Sequence, residues 1–378
     1  MKNKSTSIID LKTKPLPAHA AEQPADVSAG TPLSSGWERF WLAPADPIGL
    51  NALRFLAGLV FLSFLLPLAG QIDAFFSLDG WFDRQAFVEA GRLPLDRRPM
   101  FGWSLLYVFG TSSGLAHAFF WSTIGVLVFF TLGLATRIVG VLTWVLIISY
   151  VSFGPIGFSE MDLLVIFAFY FMLAYLFLGQ YCRPLSAAER VLGPWDSFVL
   201  SPLFFRKTHN EPIYRSYSAN LFVRLMQVHF AILVVASCFS KLQIGDWWSG
   251  YALWYPLHQP FETTPEMIHK EANFATTWLF IYSLAQYLML AWQITFPLWA
   301  WKRRFRVVLL VGGALAFVGC IWIYRTPVFG AIWLLGCLLF LTPAEWRRVT
   351  ERLQGGWQHF TGGFSAKRDE KVSMAVRS

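Results

Sequence analysis

The polar residues with the most chemical potential lie in one long apolar stretch, NLFVRLMQVHFAILVVASCFSKLQIGDWWSG. Arg224, Gln227, His229 and Lys241 follow one another along it. With the periodicity of an α-helix, Gln227, Cys238 and Lys241 fall within about 60° of one another around the axis and share a face. His229 lies on another face. Polar groups at membrane depth are costly, so these residues are candidates for function.

Lys241 is the residue of this stretch best suited to chemistry. A lysine withdrawn from water can act as a general base near neutral pH. Trp247 and Trp248 follow it and are typical of the headgroup level, so we expect Lys241 to open to the periplasmic or luminal side. The alternative is that Lys241, like Arg54 and Arg224, only extends its charged end to the membrane surface. The sequence leaves both interpretations open.

The composition indicates that these residues belong to a membrane protein. The 378-residue chain is 55% hydrophobic and only 14% charged, whereas soluble domains carry about 25% charged residues. Its 18 Trp, 36 Phe and 12 Tyr fit a protein whose aromatic rings collect at the two headgroup levels. We therefore predict an all-α fold, a polytopic bundle of transmembrane helices.

About eight transmembrane helices are expected, because eight apolar windows approach the roughly 20 residues that cross a bilayer. A spanning segment must pair its backbone groups internally, and no window alternates as a barrel strand would, so each is predicted to be helical. The windows are residues 48–68, 114–135, 138–153, 163–181, 221–240, 274–299, 307–324 and 327–341.

Charge and composition divide the chain into three parts. Residues 1–46 are predicted to be a disordered cytoplasmic arm, residues 47–343 the transmembrane domain, and residues 344–378 a cytoplasmic tail. With both termini inside, 22 Lys and Arg lie in cytoplasmic segments and 7 in outer segments, as the positive-inside rule favours. This predicts a multi-pass protein of the inner (plasma) membrane. The net charge of +8 is explained by this asymmetry and by anionic lipid of the inner leaflet. Lipid is therefore the expected partner, and nucleic acid is not.

No motif for soluble-enzyme chemistry or for a metal site is recognised. Cys182, Cys238, Cys320 and Cys337 form no C-x-x-C pair, and the sequence has no P-loop, nucleophile elbow or dinucleotide fingerprint. One outer loop contains His258, His269, Glu262, Glu266 and Glu271, but their spacing fits no standard ligand set. A solvated loop is the expected interpretation, and no metal is predicted.

Around Lys241 the sequence resembles the HTTM family, the horizontally transferred transmembrane domain shared by vitamin K-dependent γ-carboxylase and many bacterial proteins. SKLQIGDWWSGYALWY, with Lys241, Trp247 and Gly250, is similar to a family segment of Lys-Leu, a short gap, Trp and Gly, and RLMQ precedes it with Arg224 and Gln227. The resemblance covers about residues 48–342. Its other segments are LNALRFLAGLVFL with Arg54, FFSLDGWF with Asp79, LGLATR with Gly133, Thr136 and Arg137, and SEMDLL with Asp162.

The resemblance implies a role for Lys241. In the carboxylase the matching lysine deprotonates reduced vitamin K, which then reacts with oxygen to give an epoxide and a strong base. This chain departs from the family at Phe317, where a His is usual, and at Gln293, where an acidic residue is usual. With about 36 residues after the last window, no counterpart of the carboxylase's luminal peptide-binding domain is expected. Reaction of a reduced quinone is therefore favoured over glutamate carboxylation.

Two classes of function remain open at this point. One is a membrane enzyme in which Lys241 acts as general base on a reduced quinone or a short peptide at the outer face. The other is a non-catalytic helper for the maturation or export of a secreted peptide precursor, as implied by HTTM proteins of that kind. Asp79 and Asp162 are both candidates to pair with Lys241 or with Arg84. Transport is disfavoured, because neither an inverted repeat nor paired broken helices are evident.

Overall fold

The computed structural model describes residues 36–77, 80–81, 103–153, 162–177, 216–257, 264–272 and 275–352. Within these ranges the regular structure is helical, and the extended contact is one isolated bridge between Ala45 and Ser216. The all-α class is confirmed for this part of the chain.

Fifteen α-helices follow one another in the described ranges. They are α1 (Gly36–Leu42), α2 (Ile48–Leu65), α3 (Ile72–Phe76), α4 (Leu106–Phe109), α5 (Ser113–Leu132), α6 (Thr136–Val151), α7 (Asp162–Phe177), α8 (Tyr217–Leu242), α9 (Gly245–Ser249), α10 (Trp254–Leu257), α11 (Pro265–Ala272), α12 (Ala275–Trp299), α13 (Arg306–Trp322), α14 (Pro327–Leu338) and α15 (Pro343–Arg352). A 3₁₀ turn, Leu66–Gln71, joins α2 to α3, and another, Arg303–Phe305, precedes α13.

Each of the eight predicted windows overlaps a helix in its described residues, but not every helix has spanning length. Five segments are long and apolar enough to cross a membrane, and α14 with α15 gives a sixth if this pair, bent by 117°, is one span. The helices α6 and α7 are apolar but have only 16 residues each. The described chain thus has the helices of a multi-pass membrane protein, with five or six spans rather than eight by this measure.

Long helices run in alternating directions, and contacts identify the two ends of the bundle. Asp46, before α2, pairs with Arg347 of α15, and Asn220, in the first turn of α8, donates to the carbonyls of Phe40 and Trp41. Both α2 and α8 therefore begin at one end, here called the basic end. The end at which α8 finishes is called the opposite end.

Helix α1 lies within residues 1–46, which the composition predicts to be disordered. That prediction does not hold for residues 36–42, because the aromatic rings of α1 give it a surface to pack against the bundle. Trp37 and Trp41 meet edge to face with centroids 5.6 Å apart, and Phe40 contacts Trp301. The first 35 residues lie outside the described part.

The junction of α2, α5 and α7 is organised by Arg54, which is fully buried. Its guanidinium donates to the carbonyls of Phe130 and Thr131 and, at 3.1 Å, to the hydroxyl of Tyr175. Those carbonyls belong to the last turn of α5, where a helix has no internal donors left. A cation at a helix C-terminus is also favoured by the helix dipole. Arg54 therefore does not reach to the membrane surface; it caps one helix and joins it to two others.

Candidate functional site

Lys241 lies in the last turn of α8, at the opposite end of the bundle. Its Nζ donates to the hydroxyl and, at 3.3 Å, to the carbonyl of Ser237, one turn earlier. The same Nζ lies 5.5 Å from the centroid of the Trp247 ring, within the range of a cation–π contact. The amine is half-buried, and among the described residues it forms no ion pair with a carboxylate.

Trp247 is held over Lys241 by a tight turn after α8. The backbone bends at Ile244 into the short helix α9, which ends at Gly250 with φ of 86°. Only a glycine adopts this left-handed conformation without strain. A Cβ at Gly250 would also come within 2.4 Å of Ser283 Oγ. Gly250 is therefore required by the path of the chain, which folds the tryptophan back onto the lysine.

Gln286 of α12 anchors this turn and was not singled out by the sequence analysis. Its side chain is fully buried, its Nε2 donates to the carbonyl of Trp247, and its Oε1 accepts from the backbone N–H of Ala252 at 3.0 Å. Tyr287, next to it, donates to the carbonyl of Trp248 at 2.6 Å. The sequence does contain a signal for Gln286, because it is a polar residue within an apolar window, as Gln227 is.

Two further groups border Lys241. Cys238 is buried one turn before it, with Sγ 3.6 Å from the carbonyl of Leu290. Cys320, near the end of α13, lies within electrostatic range of both Lys241 and Tyr324. Tyr324 stands beyond α13, and burial raises the pKa of its hydroxyl, with Cys320 adding to the effect. Lys241 thus has a hydroxyl, an indole and two thiols around it.

The structure brings only some of the predicted site residues together. Lys241, Trp247 and Gly250 form one cluster at the opposite end, whereas Arg224 and Gln227 lie near the basic end. Arg224 donates to Gln227 Oε1 at 2.9 Å. The same Oε1 also accepts a hydrogen bond from the indole N–H of Trp301 at 3.0 Å, and Gln227 Nε2 donates to the carbonyl of Leu339 at 2.7 Å. The helical face shared by Gln227 and Lys241 is therefore divided between two sites about 20 Å apart along the helix.

Two other predicted site residues, both in the described structure, do not contact the lysine. Arg137 is in the first turn of α6, and Asp162 begins α7, half-buried. Neither contacts Lys241 in the described structure, and Asp79 lies outside the described residues. No group of three or more His, Cys, Asp or Glu side chains able to hold a metal ion occurs in the described ranges.

The two positions that depart from the resembled family pattern differ in burial: Phe317 is half-buried, and Gln293 is buried. Phe317 lines an apolar cavity of about 300 Å³ between α2, α13 and α14. Gln293 of α12 is buried, and its Oε1 has no hydrogen-bond partner among the described residues. The cavity wall is otherwise aliphatic apart from Ser63. This space therefore suits a hydrophobic ring or chain and offers little for proton transfer.

No family model, no curated protein and no solved structure matches the chain. The arguments about function that follow therefore rest on the residues and their geometry, together with the resemblance of short segments to HTTM proteins.

Proposed function

We propose that this chain is an HTTM-type integral membrane enzyme in which Lys241 acts as general base on a reduced quinone at the outer face of the plasma membrane. The observation that carries the proposal is the surroundings of the Lys241 amine. It is held at the end of the long apolar helix α8 by Ser237 and the face of Trp247, with no carboxylate bound to it among the described residues.

The neutral surroundings matter because a base must be able to exist without its proton. A carboxylate in contact would hold the ammonium form as an ion pair. A hydroxyl and a carbonyl can orient the amine without supplying a full countercharge. Trp247 adds an apolar surface on which a flat quinol ring could rest. Proximity and orientation of this kind are a large part of catalysis by a bound base.

The proposed reaction is balanced in atoms and electrons. Lys241 takes a proton from a quinol hydroxyl, and the quinolate reacts with molecular oxygen. One oxygen atom enters the ring as an epoxide. The other leaves as water with the two quinol protons, one of them returned from the lysine. The quinol carbon framework supplies the electrons and oxygen accepts them, so no further reductant is required.

Glutamate carboxylation is not part of the proposal. Phe317 occupies the position of the usual family histidine, and a phenyl ring cannot transfer a proton. Gln293 likewise provides an amide where an acid is usual, and its buried carbonyl has no partner in the described structure. The reaction on the quinone alone needs neither group.

The proposed topology has eight spans with both termini in the cytoplasm. It is supported by the described basic residues, which gather at one end of the bundle. The basic end has Arg39, Arg137, Lys302, Arg303, Arg304, Arg306, Arg347, Arg348 and Arg352, against Lys241 and Arg325 at the opposite end. The positive-inside rule then puts the basic end in the cytoplasm. Lys241 would face the outer side, and α6 and α7 would cross as short spans.

The test uses the full chain purified into lipid nanodiscs and supplied with reduced naphthoquinones or benzoquinones. Isotope-labelled oxygen should place one labelled atom in a quinone epoxide and the other in water, with no label fixed from bicarbonate supplied in parallel. Epoxide formed at the rate of empty nanodiscs would contradict the proposal. Co-purification of a secreted peptide precursor together with that negative result would favour the helper function instead.

A further inference from the structure

A second cavity, of about 120 Å³, lies at the basic end, on the far side of the bundle from Lys241. It is enclosed by the starts of several helices and by the segment that joins α14 to α15. Polar and aromatic side chains line much of it: Asp46, Asn220, Arg224, Gln227, Trp301, Arg306, Thr342 and Trp346. Its wall is thus rich in hydrogen-bond donors.

Two buried side chains on this wall have donors without acceptors. Trp346 is 6% exposed, and its indole N–H has no hydrogen-bond partner among the described residues. Arg306 is 9% exposed, and its Nη1 likewise has no partner there. Buried polar groups are nearly always paired with protein, water or a ligand. A cavity beside two such groups indicates that an acceptor belongs in it.

The carboxylates near the cavity already have partners of their own. Asp46 accepts from Arg347, with Nε at 2.7 Å, and its other oxygen accepts from the N–H of Ile48 at 3.1 Å. Glu345 accepts from Thr342 and lies 3.4 Å from Arg306 Nε. Each acidic side chain is therefore balanced by one arginine.

One positive charge is left over, that of Arg224. Its guanidinium lies 4.5 Å from the centroid of the Phe40 ring and donates to Gln227, and no carboxylate is bound to it in the described structure. Around the cavity, the charges of the paired side chains cancel, and Arg224 leaves the wall with a net charge of one positive unit.

Helix dipoles add to this charge. Gly49 and Leu50 in the first turn of α2, Ala219 at the start of α8 and Pro343 at the start of α15 all line the cavity. The first N–H groups of a helix have no partner within it, and some of them are capped by side chains here: Asp46 accepts from Ile48, Ser216 from Ala219 and Thr342 from Glu345. These helix starts therefore contribute mainly their dipoles. A helix N-terminus also carries a partial positive charge and binds phosphate and other anions. Three such ends converge here, and each belongs to a helix of more than two turns.

We infer that this cavity binds a phosphate group, held by Arg224 and Arg306 with the indole N–H of Trp346 and the converging helix N-termini. A phosphate matches the several donors and the net positive charge. Tryptophans such as Trp301 and Trp346 are typical of the headgroup level, where phospholipid phosphates lie. The phosphate could come from an anionic lipid or from solution. The chemistry at the cavity is the same for both, and the site is independent of Lys241.

The experiment measures thermal unfolding of the full chain in nanodiscs. One arm compares phosphatidylcholine with phosphatidylcholine containing phosphatidylglycerol; the other adds inorganic phosphate to phosphatidylcholine nanodiscs. A rise of the unfolding midpoint in the first arm alone identifies the lipid as the source, and a rise in the second shows that free phosphate suffices. A midpoint unchanged in both arms overturns the proposal.

Two variants connect the effect to the cavity. Trp346→Phe keeps the ring and removes the N–H, and Arg224→Gln removes the charge. Each should weaken the apparent affinity about tenfold, as expected for loss of one hydrogen bond to a charged group. Trp322→Phe is the matched control, because Trp322 is 78% exposed on α13 and does not line the cavity. If both cavity variants bind the lipid or phosphate with the affinity of the control, the assignment is wrong. If one of them does not fold, the affinity of the other decides. Lys241→Met should retain the effect.

Discussion

Lys241 Nζ lies 5.5 Å from the centroid of the Trp247 ring, and five residues of chain separate the two. The contact exists because α8 ends just after the lysine and the backbone turns back through α9 to Gly250. Gln286 and Ser283 of α12 fasten this turn by hydrogen bonds to its carbonyls. The geometry of the proposed base thus depends on a glycine and on two polar residues of another helix.

Replacing Gly250 by alanine should disrupt this turn. Alanine is strained at φ of 86°, and its methyl group would collide with Ser283 Oγ. We expect a loss of about 1–3 kcal/mol in the free energy of unfolding. The measurement is denaturation in detergent micelles. Gly245→Ala is the control, because a Cβ at Gly245 meets nothing within 4 Å. Equal stability of the two variants would contradict the role given to Gly250.

Arg54 is expected to be a residue of the fold rather than of the proposed site. Arg54→Met removes the donors to the last turn of α5 and to Tyr175. The expected cost is about 3 kcal/mol in the free energy of unfolding, since hydrogen bonds from charged groups contribute about 1.5–3 kcal/mol each. Arg304→Met, at an exposed arginine, should change stability by less than about 0.5 kcal/mol. A normal melting curve for Arg54→Met would show that the buried network adds little.

Glu345 should make stability depend on pH in the acid range. Burial favours the neutral acid, but hydrogen bonds from Thr342 and the nearby Arg306 outweigh it and lower the pKa of Glu345 below its ordinary value of 4.5. The carboxylate therefore contributes stability above the unfolded pKa, and this contribution is lost as pH falls from about 4.5 through the lower folded pKa.

The check is the unfolding midpoint measured across that pH range. Glu345→Gln should remove part of the fall in midpoint seen for the parent. Glu351→Gln provides the control, since Glu351 is exposed and forms no ion pair in the described structure. A parent and a Glu345→Gln variant with parallel pH profiles would be incompatible with the pKa shift.

The orientation can be tested with single cysteines in a background that lacks the four native ones. A cysteine at Thr264, before α11, should react with an impermeant thiol reagent in intact cells, because the opposite end is proposed to face outward. A cysteine at Ala344, in α15 at the basic end, should react only after the cells are opened. Both positions are exposed. The reverse labelling pattern would invert the topology.

The sequence predicts the helices well because backbone pairing leaves lipid-embedded segments few alternatives. Each predicted window contains a helix in its described part, and the segment from Lys241 to Gly250 does form one cluster. The number of spans was harder to predict, because hydropathy does not give helix length: α6 and α7 stop at 16 residues, and α14 bends sharply into α15.

Side-chain partners depend on packing between helices distant in sequence, and spacing along one helix does not reveal them. The sequence allows Arg54 to be an interfacial arginine, whereas in the structure it bonds to α5 and α7. Gln227 shares a helical face with Lys241, yet it bonds to Trp301 and Leu339 near the other end. The cavity with Arg306 and Trp346 is formed by chain segments about 300 residues apart, so no local pattern predicts it.

The most direct test of the account compares two lysine variants in the quinol assay. Lys241→Met and Lys302→Met carry the same substitution at opposite ends of the bundle, and Lys302 is exposed at the basic end. Each is purified into nanodiscs, its melting curve is recorded, and epoxide formation from a reduced quinone is followed by mass spectrometry. We expect both to melt within a few degrees of the parent, with epoxide formation kept in Lys302→Met and lowered at least about 100-fold in Lys241→Met. Equal rates of epoxide formation in a well-folded Lys241→Met and in the parent would show that Lys241 is not the base.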